Sequence, residues 1–126
     1  ISAMCRWIMQ SLGSDVPLHF SAFHPDHKMP DTPATPPATL VRARNIALRE
    51  GLTYVYTGNV HNQEGDTTFC PGCRSPLIVR DWYRIEQYRL NEAAHCPDCG
   101  AAVAGRFAAT SGHFGRKRIP IAIGMF

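Results

Sequence analysis

The sequence predicts an α/β unit followed by a small β lobe built on four cysteines. Three observations predict it. Apolar residues recur at helical spacing in two segments of the first half. Each of those segments is followed by a short run with the alternation of a strand. Two Cys-Pro-x-Cys turns, Cys70-Pro71-Gly72-Cys73 and Cys96-Pro97-Asp98-Cys99, then stand 22 residues apart in the second half.

The first helix is expected over Ile1 to Leu12, where Ile1, Met4, Cys5, Ile8, Met9 and Leu12 fall on one face, and Gly13 ends it. It arrives without a start signal or an initiator methionine, so further chain is expected upstream. Val16 to Phe23 reads as a strand in which Leu18, Phe20 and Ala22 alternate with His19, Ser21 and Phe23. The loop from His24 to Pro37 carries Pro25, Pro30, Pro33, Pro36 and Pro37, which keep it irregular and stiff. A second helix follows, with Thr35 as N-cap and Pro36 as its first residue. Leu40, Ala43, Ala47 and Leu48 form its buried stripe, Arg42, Arg49 and Glu50 face water, and Gly51 closes it. Leu52 to Val60 is the second strand. A strand, a crossover helix and a strand imply parallel pairing. Residues 1–69 therefore read as α/β ending in a polar loop over 61–69, and two parallel strands need more neighbours to bury a core.

Residues 70–105 read as a zinc-ribbon or rubredoxin-like lobe. Each Cys-Pro-x-Cys turn sets two sulfurs on one side of a knuckle. Two facing knuckles make the tetrahedron that Zn²⁺ takes in closed structural sites, at roughly 2.3 Å per Zn–S bond. The intervening loop is slightly long for this pattern but holds a hairpin, Pro76 to Arg80 and Tyr83 to Tyr88. Cys70, Cys73, Cys96 and Cys99 are thus the expected metal ligands. Zn²⁺ is the expected ion; iron uses the same four ligands, and two disulfides are the alternative without metal. Gly100 suits the left-handed turn after the second knuckle, where the first has Arg74. His95, beside Cys96, is expected outside the ligand set. Cys5 is left over as an inert buried thiol.

Composition narrows the classes. Of the 126 residues, 44% are hydrophobic, which suits a globular protein. The formal net charge is +3; four thiolates and one Zn²⁺ lower it by two, to +1, which weakens the case for a nucleic-acid partner. No stretch approaches the roughly 20 apolar residues of a membrane span, no charged-then-apolar leader is seen, and a reducing cytoplasm is the default expectation. The tail over 106–126 shows no pattern; its Arg116-Lys117-Arg118 run is short for a nucleic-acid patch.

The run Pro17 to Asp26, the proline loop, Gly51 to Val60 and the two knuckles together resemble the C-terminal third of the AmmeMemoRadiSam-system radical SAM enzymes, relatives of the pyruvate formate-lyase activating enzymes. The resemblance covers about residues 1–107. It implies that the chain is the C-terminal slice of a partial (β/α)6 barrel with an appended ribbon lobe. In such enzymes a [4Fe–4S] cluster on a Cys-x₃-Cys-x₂-Cys loop cleaves S-adenosylmethionine, and the radical formed abstracts hydrogen, in the activating enzymes from a protein glycine. No Cys-x₃-Cys-x₂-Cys occurs in this sequence, and a cluster needs those thiolates. The resemblance thus implies that cluster and S-adenosylmethionine belong to a longer parent, that this chain alone is inactive, and that its partners are the remaining barrel segment and a protein substrate.

Two residues at strand ends are the expected cofactor or substrate side, since ligands of α/β sheets lie outside the carboxyl ends of the strands. Carried over from the resemblance, His24 would donate to the carboxylate of S-adenosylmethionine; from the residues alone it is a loop histidine bonded to backbone. Asn59, after Gly58, contacts cofactor or substrate or shapes its turn. His19 faces a barrel interior or packs. The rival to the enzyme reading is a free-standing ribbon that binds nucleic acid or protein through Arg80, Tyr83, Arg84, Tyr88 and Arg89.

Overall fold

The computed structural model describes residues 1–112, 117 and 120. The Arg116–Arg118 run, apart from Lys117, and the apolar end, apart from Pro120, lie outside the described residues. Helix α1 (Ser2–Ser11), strand β1 (Leu18–Ser21), helix α2 (Pro37–Arg49) and strand β2 (Val55–Gly58) follow one another as the periodicities require. β1 and β2 pair in parallel, with Leu18 opposite Val55 and Ser21 opposite Gly58. Leu18 and Phe20 join Val55 on the helix side, where Cys5, Ile8, Ala47 and Leu52 complete a buried cluster. His19 and Tyr56 lie on the other face and stack at 4.9 Å. Among the described residues no helix is long and apolar enough to cross a membrane.

Two details of the helices differ from expectation. Only Cys5 and Ile8 of the α1 stripe are buried; Ile1, Met4 and Leu12 are exposed, because α1 lies over a sheet of just two strands that offers no wider surface. Thr35 does not cap α2, whose N-cap is Pro36 with no side-chain bond. The Thr35 hydroxyl instead accepts the Phe23 N–H at 3.0 Å, while its own N–H donates to the Phe23 carbonyl at 3.0 Å. Both bonds tie the end of the proline loop to its beginning.

The segment over 61–69, expected as a polar loop, holds a single helical turn and a short strand. The turn, α3 (Gln63–Asp66), is capped by Asn62, whose side chain accepts the Gly65 N–H at 3.2 Å. Strand β3 (Thr68–Phe69) then joins β4 (Pro76–Asp81) and β5 (Arg84–Tyr88) in an antiparallel sheet of order β3-β4-β5. Polarity misleads here because these threonines are buried yet satisfied. The Thr67 hydroxyl donates to the Gln63 carbonyl at 2.6 Å, and the Thr68 hydroxyl meets the Tyr56 hydroxyl and the Arg80 guanidinium, each at 2.9 Å.

Gly65 lies against Thr57 so closely that a Cβ there would collide with the Thr57 hydroxyl and lie 3.0 Å from the Asn62 amide. Gly65→Ala is therefore expected to cost about 1–3 kcal/mol through overpacking. Adding Thr57→Ala, which removes the colliding hydroxyl and leaves the Thr57 Cβ at 3.0 Å, is expected to restore part of that loss. Paired denaturant titrations check this; a Gly65→Ala protein as stable as the parent would contradict it.

A second core lies on the far side of β2. Tyr54, Leu77, Ile78, Leu90 and Val103 pack there with Cys70 and Cys96. Tyr54 and Val55 are consecutive and both buried, one in each cluster. The Tyr54 hydroxyl also accepts the Ala104 N–H at 3.1 Å, which holds the end of the lobe against the strand that precedes it by some fifty residues.

Candidate metal centre

Each knuckle forms because its backbone can turn twice within four residues. In the first, the Cys70 N–H donates to the Ser75 carbonyl at 2.8 Å and the Arg74 N–H to the Cys70 carbonyl at 3.1 Å. In the second, Cys96 N–H donates to the Ala101 carbonyl at 2.9 Å and Gly100 N–H to the Cys96 carbonyl at 2.9 Å. The repeat is close: Arg74 has φ 64 and Gly100 φ 76, so both knuckles end in the left-handed region. Gly72 is needed for a different reason. A Cβ there would stand 3.1 Å from the Ala101 Cβ and 3.3 Å from the Cys99 sulfur.

The four sulfurs converge. All lie within 4.8 Å of one another, with Cys70 and Cys99 at 3.5 Å and Cys73 and Cys96 at 3.7 Å. A tetrahedron with Zn–S bonds of roughly 2.3 Å has edges of about 3.8 Å, so the donor set has the size of a ZnS₄ centre. Cys70 and Cys96 are fully buried, and Cys73 and Cys99 sit at the surface. The Gly72 and Cys73 N–H groups point at the Cys70 sulfur, 3.3 and 3.4 Å away, as hydrogen bonds to a thiolate do. Around them Arg89 donates to the Asp98 carboxylate at 2.6 Å and to the Pro76 carbonyl at 3.2 Å, bracing both knuckles. His95 is not in the set; it pairs with Ala102, and its N–H donates to the Asn91 side chain.

Four sulfurs this close cannot all ionise without a cation among them. Burial works against a charge on Cys70, but the Cys73 and Gly72 N–H groups outweigh it and pull that thiol down. The Ser75 hydroxyl and N–H hold the Cys73 thiol down to about 6. Cys99 receives one backbone N–H from Ala101, yet its neighbouring sulfurs and burial push it up to about 12. A bound divalent ion removes this conflict, because coordinated thiols are deprotonated outright. The sign for pH follows. A thiol lowered on folding contributes stability above its ordinary value of 9.0 and loses it as pH falls through about 6. Because Cys99 must also give up its proton to bind an ion, metal affinity is expected to rise with pH and to fall steeply on acidification through pH 6, as read by release to a chromogenic chelator.

The strand-end residues also meet, but with each other. The His24 ring donates to the Asn59 carbonyl at 2.9 Å, and the Asn59 amide donates to the Ala22 carbonyl at 3.2 Å. Asn59 has φ 59, the conformation that asparagine tolerates in a turn. Both sit beyond the carboxyl ends of β1 and β2, where the α/β rule places ligands. Cys5 is buried apart from the metal ligands, and burial pushes its thiol up. Sequence reasoning missed Ser75 and Asp98, and named Arg89 only for a nucleic-acid surface, whereas its guanidinium is held by Asp98 and the Pro76 carbonyl. Charge alternation does not mark a residue that braces a knuckle.

No known protein family matches this chain, and no solved structure matches it. The chain is similar to an uncharacterized protein of Methanocaldococcus jannaschii, with 46% identity over 99 residues. That match takes in 78% of this chain and 30% of the relative, so the chain spans less than a third of the length of the protein it resembles.

Proposed function

We propose that Cys70, Cys73, Cys96 and Cys99 hold a structural Zn²⁺, and that the lobe so formed is an accessory to a radical SAM enzyme of the activating type. The observation that carries the metal reading is the convergence of the four sulfurs, two of them buried in the lobe's core. A closed four-thiolate set leaves no position for substrate, so its role is to fold the lobe. The harder thiolate-poor alternatives, Mg²⁺ and Ca²⁺, prefer oxygen donors. A cytoplasmic setting keeps the thiols reduced.

The enzyme reading rests on motif order, and three features support it. The crossover gives two parallel strands, His24 and Asn59 converge at their carboxyl ends, and the similar archaeal protein is more than three times as long as the matched stretch. In this reading the remaining barrel segment pairs with the two strands and carries the Cys-x₃-Cys-x₂-Cys loop. The present residues do not fit an iron–sulfur cluster, because the thiols beyond the knuckles number one, Cys5. The His24 side would serve the S-adenosylmethionine that the longer protein binds, and the lobe would receive a protein substrate.

The test is the native gene product, purified without oxygen and analysed for intact mass, zinc, iron and sulfide. One zinc for each chain, together with iron and sulfide in a several-fold larger polypeptide, supports both parts. A zinc protein without iron or a Cys-x₃-Cys-x₂-Cys segment retains the metal centre and ends the enzyme reading.

A further inference from the structure

A cleft of about 440 Å³ opens between the lobe and the face of the parallel pair that the helices do not cover. Its size falls in the range of small-molecule sites. It lies toward the amino ends of β1 and β2, where Pro17 and Tyr54 line it, away from His24 and Asn59 at the other ends. It shares no ligand with the four-thiolate centre.

The walls have two kinds of chemistry. One wall is aromatic: His19, exposed, lies on Tyr56 with ring centroids 4.9 Å apart and planes inclined by 29°. Trp82 and Phe107 line the cleft as well. The other chemistry is cationic. The Arg80 guanidinium stands 5.9 Å from the Tyr56 ring centre, and its Nη1 donates to the Asp66 carbonyl at 3.0 Å and the Thr68 hydroxyl at 2.9 Å. Arg80 is thus fixed in place, and among the described residues no carboxylate pairs with it. Arg106, just past the lobe, adds a second guanidinium. One carboxyl, Asp66, lines the same cleft; burial raises its pKa, with Asp81 adding to the rise and Arg80 and His61 opposing it.

A flat ring stacks on the first wall at little cost, because every heteroaromatic has a π-face. Two guanidiniums match a phosphate through forked hydrogen bonds. Asp66 lines the same cleft and offers an acceptor for a ring N–H or amino group, which a simple aromatic acid lacks. We propose that this cleft binds a nucleoside monophosphate, the base against His19 and Tyr56 and the phosphate on Arg80 and Arg106. The same chemistry occurs in a free nucleotide and in the phosphorylated end of a single strand. This inference does not rest on the enzyme reading above.

The test reads Trp82 fluorescence in a Trp7→Phe background, since Trp7 is exposed on α1 and would obscure the signal. The probes are the four ribonucleoside monophosphates, the matching nucleosides, ribose phosphate and a terminally phosphorylated oligonucleotide. Saturable quenching by a monophosphate, with the nucleoside and ribose phosphate each at least tenfold weaker, is the expected result. Arg106→Gln and His19→Ala change exposed side chains and leave the fold intact; each is expected to weaken binding about tenfold or more. Arg80→Gln should do so too, though it also removes the tie between β4 and α3. Tighter binding of the oligonucleotide than of the monophosphate would identify a strand end as the source. The proposal is overturned if no monophosphate saturates by about 1 mM, or if binding survives both Arg106→Gln and His19→Ala unchanged.

Discussion

Cys96→Ser is expected to abolish the proposed metal binding and to unfold the lobe, while α1 and α2 keep most of their helical signal. The reason lies in what else the lobe has to hold it. Its core cluster contains Tyr54, Leu77, Ile78, Leu90 and Val103, and the other two members are the ligands Cys70 and Cys96 themselves. Four of those five apolar residues come from the lobe, too few to offset the conformational entropy of ordering it, at about 1–2 kcal/mol for each backbone residue. Structural zinc contributes on the order of 10–16 kcal/mol in comparable small sites, which matches or exceeds the whole stability of an ordinary domain, about 5–15 kcal/mol. The substitution also leaves three sulfurs crowded with no complete donor set for an ion to reconcile them. The measurement is zinc content by mass spectrometry together with amide hydrogen exchange across 70–103. Chelation of the parent should reproduce the same loss of protection. Protected lobe amides in a zinc-free protein would refute the structural role of the metal.

The second large effect is at Arg44. Its side chain is 4% exposed, and it ties α2 to three other elements. Nε donates to the Val55 carbonyl at 3.0 Å, Nη1 pairs with Glu64 at 2.8 Å, and the guanidinium stands 6.0 Å from the Phe69 ring centre. Arg44→Ala leaves a buried carbonyl without its donor and a cavity between α2 and β2. We expect a loss of about 2–4 kcal/mol. Glu64 is 71% exposed, so its carboxylate alone is worth much less. Glu64→Ala nonetheless deprives a buried cation of its counter-charge, and should cost about 1–2 kcal/mol, between the surface norm and the Arg44 value. Urea titrations of the two variants give the order. Arg44→Ala within about 0.5 kcal/mol of the parent, the range of an ordinary surface change, would refute the buried tie.

The cluster of four cysteines was legible in the sequence because cysteine spacing is a local property. Two turns of four residues state which sulfurs share a side, and only the approach of the two knuckles had to come from the fold. The parallel pair was legible for a similar reason, since a strand, a helix and a strand leave one arrangement. What escaped depends on contacts between distant residues. Arg44 lies one position from Ala43 and three from Ala47, on the buried stripe itself, but was given no place in it, because the Val55 carbonyl that accepts its N–H is not visible in the sequence. Thr35 has the chemistry of an N-cap, but Phe23 claims its hydroxyl from across the loop. The polar run over 61–69 hides buried threonines whose partners lie on β2 and β4. Ile1, Met4 and Leu12 follow the helical period faithfully and remain uncovered, because periodicity states where an apolar face is and not how wide the opposing surface will be.

The adjacency of Tyr54 and Val55 constrains how this chain can change length. Strand residues alternate sides, so a single residue added between Leu52 and Tyr54 would exchange their assignments. The tyrosine ring would be driven among Cys5, Ile8 and Ala47, and the lobe would receive a valine too short to reach Ala104. Insertions and deletions are therefore expected to be tolerated in the proline loop between His24 and Pro33, where few contacts fix the backbone, and to be lethal to folding in the three residues after Gly51. A set of single-residue insertions along the chain, scored for soluble expression, would draw that boundary directly.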